Sequence, residues 1–359
     1  MKRFFQTLII IFFHLNPTIN NAQNQDKFKS DWHFSYYMPY DNNLARFSEP
    51  IIKMIEENIN TDKISVSVQL DDKQTEGSSR FFITSKGTQI EKTKDESSDN
   101  IETYTRYLNW VESKVDYKKH AVIFLDHGGK LNEVCLDEFP NNGFLTILEI
   151  KEAYKELYKS KIDLLFFQVC TKSVIEPLYE FKNMSKYTMA SQLELGAPNY
   201  YYPEVFKYLS NNDNVSSEDL ANKIMEYEAL NMYSSYTLLN NKKFGHFARK
   251  LRQFIKKLNR KKINTLNDKP IKYSYYQEEY YDLVSVINNI NLENDKRLRK
   301  RREKLVRYVK EKLIIKHKTN PYKPEMEMFS GLSISGENKT DYHNMTLYHL
   351  TTILREMIN

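Results

Sequence analysis

Two cysteines in 359 residues, Cys135 and Cys170, permit one disulfide at most, so a disulfide-rich secreted scaffold is excluded. A lone Cys is then free to react. The chain has no Cys-x-x-Cys, which removes thioredoxin-type redox chemistry, and it lacks the paired Cys/His spacings that signal zinc. A zinc set of His127, Asp126 and Cys135 is therefore disfavoured, and neither a metal nor another cofactor is expected. Glycine is scarce, with nine residues where an average usage of about 7% gives about 25, so Gly-rich and collagen-like classes are out. Charge of either sign is not extreme: the net is +6, which demands no nucleic-acid partner. What is present is ordinary globular material, 40% hydrophobic and 28% charged, enough to bury a sizeable core.

Lys2 and Arg3 precede an apolar run from Phe4 to Leu15, followed by Asn16-Pro17 and the small residue Ala22. This is the charged, apolar, cleavable order of a secretory signal, so residues 1–22 are read as a signal peptide and the protein as secreted or periplasmic. The run is too short to cross ~30 Å of hydrocarbon, and no lasting membrane span is expected.

Strand and helix patterns then alternate. Trp32 to Met38 reads as a strand ended by Pro39, Leu44 to Ile59 as a helix, and Ile64 to Leu70 and Arg80 to Thr84 as strands. Residues 84–100 read as a solvated loop. Ile101 to Val115 reads as a helix, and Ala121 to Leu125 and Ile162 to Phe167 are the continuous apolar runs of strands buried on both faces. Between them Leu145 to Tyr158 has helical spacing. A helix follows from about Ser173, and Tyr187 to Ser191 is a weaker strand. The fold class is α/β, a doubly wound, mostly parallel sheet with helices on both faces. Residues 23–210 form this core. Residues 211–359 form a basic, mostly helical extension, in which Leu298, Leu305, Val309 and Leu313 make an apolar stripe. It returns a strand (Phe329 to Ser335) and a helix (Met345 to Met357) to the core.

The two most apolar strands end in loops carrying His127 and Cys170. Loops at the carboxyl ends of parallel strands build sites in open α/β sheets, and an imidazole beside a thiol makes a nucleophile. Gly128-Gly129 implies a tight turn whose N–H groups approach a substrate oxygen, so the oxyanion hole is assigned to the amides of Gly128 and Cys170. The bland alternative is an inert buried Cys and an exposed loop His. Asp126 orients His127 or, the favoured reading, caps the turn. His120 is read as solvated. Asn42 and Asn43 lie on a loop at the same sheet end, as substrate contacts or helix caps.

The strand followed by Asp126-His127-Gly128-Gly129, and one strand later the strand ending in Cys170, resemble the clostripain-like cysteine peptidases, relatives of caspases, gingipains and legumain. Tyr37-Met38 with Asp41-Asn42-Asn43-Leu44, Val68 to Asp71, Cys135-Leu136-Asp137 and Ala190 to Glu194 resemble further family segments in the family's order. So do Tyr233 to Leu238, Tyr280 to Leu283 and Gly331 to Ile334, so the resemblance covers nearly the whole mature chain. It implies a caspase-like sheet and an exported endopeptidase, acting through a thioester on Cys170 with His127 as proton carrier. It places Gln168, Ser191, Glu194 and Asn42 at the substrate. Many members have Asp two places before the Cys and cut after Arg or Lys; Gln168 stands there instead, and Val169 replaces a small residue. Either Glu194 supplies the missing charge or an uncharged polar residue is preferred. Self-cleavage between the two loops, as in some relatives, has Lys130 and Lys151 as candidates. The expected partner is a protein or peptide substrate and the expected state a monomer. The runner-up is an inactive relative whose basic extension binds an anionic partner.

Overall fold

The computed structural model describes residues 26–73, 77–93, 97–139, 142–157, 162–292 and 295–359. The expected signal peptide, residues 1–22, lies outside them. From the first described residues the chain forms β1 (Phe28–Tyr40), α1 (Ser48–Glu56), β2 (Ile64–Asp72), β3 (Ser79–Thr84) and β4 (Gly87–Lys92). It continues through α2 (Ile101–Lys114), β5 (Val115–Leu125), the hairpin β6 (Glu133–Asp137) and β7 (Gly143–Thr146), α3 (Ile147–Leu157) and β8 (Ile162–Gln168). Then come α4 (Ile175–Glu180), β9 (Ser185–Ala190), α5 (Tyr202–Asn211), α6 (Ser217–Tyr227) and β10 (Ser235–Asn240). The last part holds α7 (Asn241–Arg260), β11 (Lys272–Tyr275), β12 (Glu278–Asp282), α8 (Leu283–Asn289), α9 (Lys296–Tyr308), β13 (Ile314–Thr319), β14 (Ser333–Ser335) and α10 (Tyr348–Ile358).

Nine strands make one sheet in the order β13-β10-β9-β8-β5-β1-β2-β3-β4. Its five central strands, β9, β8, β5, β1 and β2, run parallel, and antiparallel strands close both edges. Parallel strands joined by crossovers must be covered on both faces, and alternation along each strand feeds two cores. Phe34, Tyr36 and Met38 of β1 enter one core with α1, α5 and α6. Tyr37 points the other way, into the core built with α2, α3, α7 and α9.

Several expectations shift. Pro39 does not end the first strand, because pairing with β5 stops at Tyr37 while pairing with β2 continues to Tyr40, so a missing N–H on the β5 side is tolerated. Residues 87–92, read as loop, are the edge strand β4; its exposed, charged face gave no apolar alternation. His120 is not solvated: it is 2% exposed inside β5, with Nε2 2.8 Å from Ser35 Oγ.

The described residues of 211–359 hold five strands besides their helices. The strand that joins the main sheet from the last third is β13, which follows the buried stripe of Leu298, Leu305, Val309 and Leu313. The expected strand around Phe329–Ser335 is β14, and it joins a separate three-stranded sheet, β11-β12-β14.

Candidate active site

β1 leads to β2 on one side, while β5, β8 and β9 follow on the other, so the winding reverses between β1 and β5. Ligands of open α/β sheets bind at the carboxyl ends of strands at such a reversal. Of the loops leaving this rim, four meet near the reversal: residues 41–44 after β1, 126–132 after β5, 169–174 after β8, and the loop after β9, which begins at Ser191.

Leu125 pairs with Gln168 in parallel register, so His127 and Cys170 each sit two residues beyond a matched pair. The loops touch: a Cβ placed on Gly128 would lie 2.1 Å from the carbonyl oxygen of Cys170, so only glycine fits there. Thr171, directly after the thiol, has φ +58°, a strained value for a β-branched residue and one typical of functional turns. The Cys170 thiol accepts the N–H of Leu195 at 3.3 Å and turns its proton toward the Leu195 carbonyl at 3.6 Å. His127 Nε2 lies 2.8 Å from Asn43 Oδ1, across the sheet's reversal point. Burial pushes the Cys170 thiol above its ordinary pKa, and burial also pulls His127 below the ordinary imidazole value. Both groups are therefore held in their neutral forms in this arrangement.

Supporting residues lock the loops. Lys172, buried, donates its ammonium to the carbonyls of Gly129 at 3.1 Å and Lys130 at 2.6 Å, tying the Cys170 loop to the His127 loop. Burial lowers its pKa to about 7. Asp126 meets the amide of Asn42 at 2.9 Å, and the ring of His127 meets Asn43 instead. Burial holds the Asp126 carboxyl well above the usual carboxylate range. Cys135 is buried, has φ +63° and donates its N–H to the His127 carbonyl at 2.9 Å. Both cysteines are free. Among the described residues no group of three His, Cys, Asp or Glu could hold a metal ion.

The residues expected at the substrate divide. Asn42 is buried, its amide donating to Pro39 O, Leu136 O and Asp126, while its Oδ1 accepts the N–H of Leu44. It shapes the loop from inside, and its neighbour Asn43 is the one that reaches the site. Gln168 is 2% exposed; its Oε1 accepts from the Tyr201 hydroxyl at 2.9 Å and its Nε2 is buried with no hydrogen-bond partner. Ser191 is also buried, its Oγ accepting the Leu193 N–H at 3.1 Å. Glu194 is exposed, and its negative charge adds to the burial that raises the Cys170 thiol's pKa. Lys151 lies within α3 and pairs with Glu180 at 2.7 Å, whereas Lys130 is exposed in the loop after Gly129.

Sequence reasoning missed Leu195 and Lys172. Leu195 acts through its backbone, which leaves no sequence signal. Lys172, a cation two residues past a candidate nucleophile, was the signal available.

Among curated proteins none matches the chain. The model of the Clostripain family matches residues 36–349. A secreted C11 cysteine protease from Bacteroides thetaiotaomicron, solved in complex with an irreversible peptide inhibitor, superposes with a TM-score of 0.69 at 15% identity, over 90% of this chain and 99% of its own. An inactive zymogen C11 protease from Parabacteroides distasonis gives 0.68 at 17% identity, over 89% of this chain and 98% of its own. At such identities the likeness shows a shared fold, and the family model carries the assignment. With that match spanning most of its length, the chain belongs to the clostripain family of cysteine peptidases.

Proposed function

We propose that this protein is an exported cysteine endopeptidase in which Cys170 is the nucleophile and His127 the proton carrier. The observation that carries the reading is the contact of Gly128 with the Cys170 backbone, which brings a His-Gly loop and a Cys loop together at the rim of neighbouring parallel strands. In the reaction the thiol loses its proton to the imidazole and its sulfur bonds to the substrate carbonyl carbon. Collapse of the tetrahedral species breaks the C–N bond, and His127 gives its proton to the leaving amine. Water then hydrolyses the thioester. The amides of Gly128 and Cys170 donate to the developing oxyanion.

His127 must exchange Asn43 for the thiol before it accepts a proton, and catalytic contacts commonly tighten only once substrate is bound. The neutral thiol and neutral imidazole of the free protein suit a proton transfer that accompanies attack. Glu194 is the charged candidate for recognising a basic residue before the scissile bond, since Gln168 carries no charge. Export rests on the Lys2-Arg3 and Phe4 to Leu15 pattern and on the secreted relative; no helix among the described residues is long and apolar enough to cross a membrane.

The test is a peptide panel varied at the residue before the scissile bond. Cys170→Ala is expected to abolish cleavage, and His127→Ala to lower kcat by about 10²–10⁴, the usual worth of a positioned proton carrier. Full cleavage by Cys170→Ala would remove the proposal.

A further inference from the structure

Charge is spread unevenly over this fold. α7 carries eight Lys or Arg and no Asp or Glu, and α9 carries eight with a single acid, Glu303. The whole chain has a net charge of +6, so the rest of it is net acidic. Other helices mix their charges: α1, α2, α3, α5 and α6 each place a Lys or Arg against a Glu about one turn away, as in Lys53–Glu57 and Lys223–Glu226. α7 and α9 instead stack like charges one turn apart, Arg252 with Lys256 and Lys300 with Lys304, an arrangement that destabilises a helix. These four side chains are exposed, and no carboxylate among the described residues pairs with them. A merely solvated face has no reason to keep that repulsion.

The two helices form one continuous face. They lie side by side and antiparallel: Tyr308 at the end of α9 donates its hydroxyl to the Lys243 carbonyl near the start of α7 at 3.3 Å, and Lys261, just past α7, pairs with Asp295, the cap of α9, at 2.5 Å. Phe244, Leu251 and Phe254 of α7 and Leu298 and Leu305 of α9 enter the core beneath β5 and β8, which turns the cations outward along a helix about 30 Å long. Neither helix exposes a large apolar side chain, and the Tyr308 ring is taken by His246 at 4.9 Å and Lys250 at 5.4 Å. Single-stranded nucleic acid is held on exposed aromatic platforms, and an inserting amphipathic helix needs an apolar wedge. This face has neither; a broad, outward array of cations complements a planar layer of anionic headgroups. α7 begins where Asn240 pairs with Tyr187 in the first half of β9, at the end of the strands opposite the Cys170 rim, so the face flanks the molecule and leaves that rim open. We infer that the α7-α9 face is a peripheral docking surface for an anionic lipid bilayer, held by electrostatic attraction without insertion. The inference is independent of the reading of Cys170 as nucleophile.

The test is co-sedimentation of the full chain with vesicles of phosphatidylcholine alone and of phosphatidylcholine with about 30% phosphatidylglycerol, at low and high salt. At low salt the anionic vesicles are expected to retain the protein about tenfold or more over phosphatidylcholine, and the difference is expected to vanish as salt screens the charges. A variant combining Arg252→Gln, Lys256→Gln, Lys300→Gln and Lys304→Gln is expected to lose about fivefold in partitioning for each charge removed. Residues 1–22 are common to both proteins, so their difference reads the α7-α9 face alone. Because the substitutions relieve like-charge pairs, the variant is expected to hold or raise its thermal midpoint, which separates lost binding from lost folding. If it does not fold, the lipid and salt dependence of the wild type decides. Equal retention by the two vesicle types, or undiminished retention of the folded variant, overturns the proposal. So does tighter binding of duplex DNA than of anionic vesicles at the same salt, or self-association that the variant abolishes, since each assigns the face to another partner.

Discussion

A lysine sealed from solvent two residues past the thiol clamps the Cys170 loop to the His127 loop through two carbonyls, and its positive charge favours the Cys170 thiolate. Lys172→Met keeps most of the volume and removes both donors and charge. Its expected effect is an alkylation pH profile of Cys170 displaced upward, together with a lower kcat, whereas a merely structural lysine leaves the profile in place. Gln168→Asp puts a carboxylate beside Tyr201 in a site with 2% exposure, so the expected outcome is lost stability of about 1–3 kcal/mol, read as a lower thermal midpoint. Glu194→Gln, at an exposed position, is expected to weaken selection for Arg or Lys substrates without altering that midpoint. That residues 127, 128 and 170 meet at one rim was legible because a His, a Cys and a rare glycine pair follow strongly apolar strands. The direction of Asn42, Gln168 and Ser191 was not, because a polar side chain at a strand end can satisfy itself inward as readily as face a substrate.

At the level of elements, β5 and β8 bring the loops together, and Gly128 lets them meet. Gly128→Ala forces its methyl group into the Cys170 carbonyl, so activity is expected to vanish, with a destabilisation of about 1–3 kcal/mol measurable by urea unfolding. β1 and β5 also bury two imidazoles, His33 and His120, whose rings lie 5.5 Å apart. Burial brings His120 down to about 3, below its unfolded value of 6.5. The unfolded chain therefore binds the proton first: this contribution is complete above pH 6.5 and is lost as pH falls from 6.5 toward 3. Stability is expected to drop by about 1.4 kcal/mol per pH unit from His120 in that window. A His120→Gln variant is expected to show a shallower decline in urea titrations; an identical slope contradicts this account. The strands of the parallel core were legible, β5 and β8 as apolar runs and β2 by alternation, whereas β4, β11 and β13 were not. β4 and β13 lie at the edges of the main sheet and β11 at the edge of the smaller sheet, where one open side admits charged residues.

Across the whole molecule, the last third is as much a part of the site as the first two. The extension closes one edge of the main sheet with β10 and β13 and stands a second sheet over the Cys170 loop. Sequence periodicity placed the buried stripe of Leu298, Leu305, Val309 and Leu313 correctly but carried no information on where the β11-β12 hairpin would land, since that follows from long-range pairing of β12 with β14. The most direct measurement is the site of covalent labelling by an irreversible, peptide-based thiol reagent, mapped by mass spectrometry in the wild type and in His127→Ala. The account predicts one label, on Cys170, formed far more slowly in the variant. A label on another residue, or equal labelling rates in the two proteins, contradicts it.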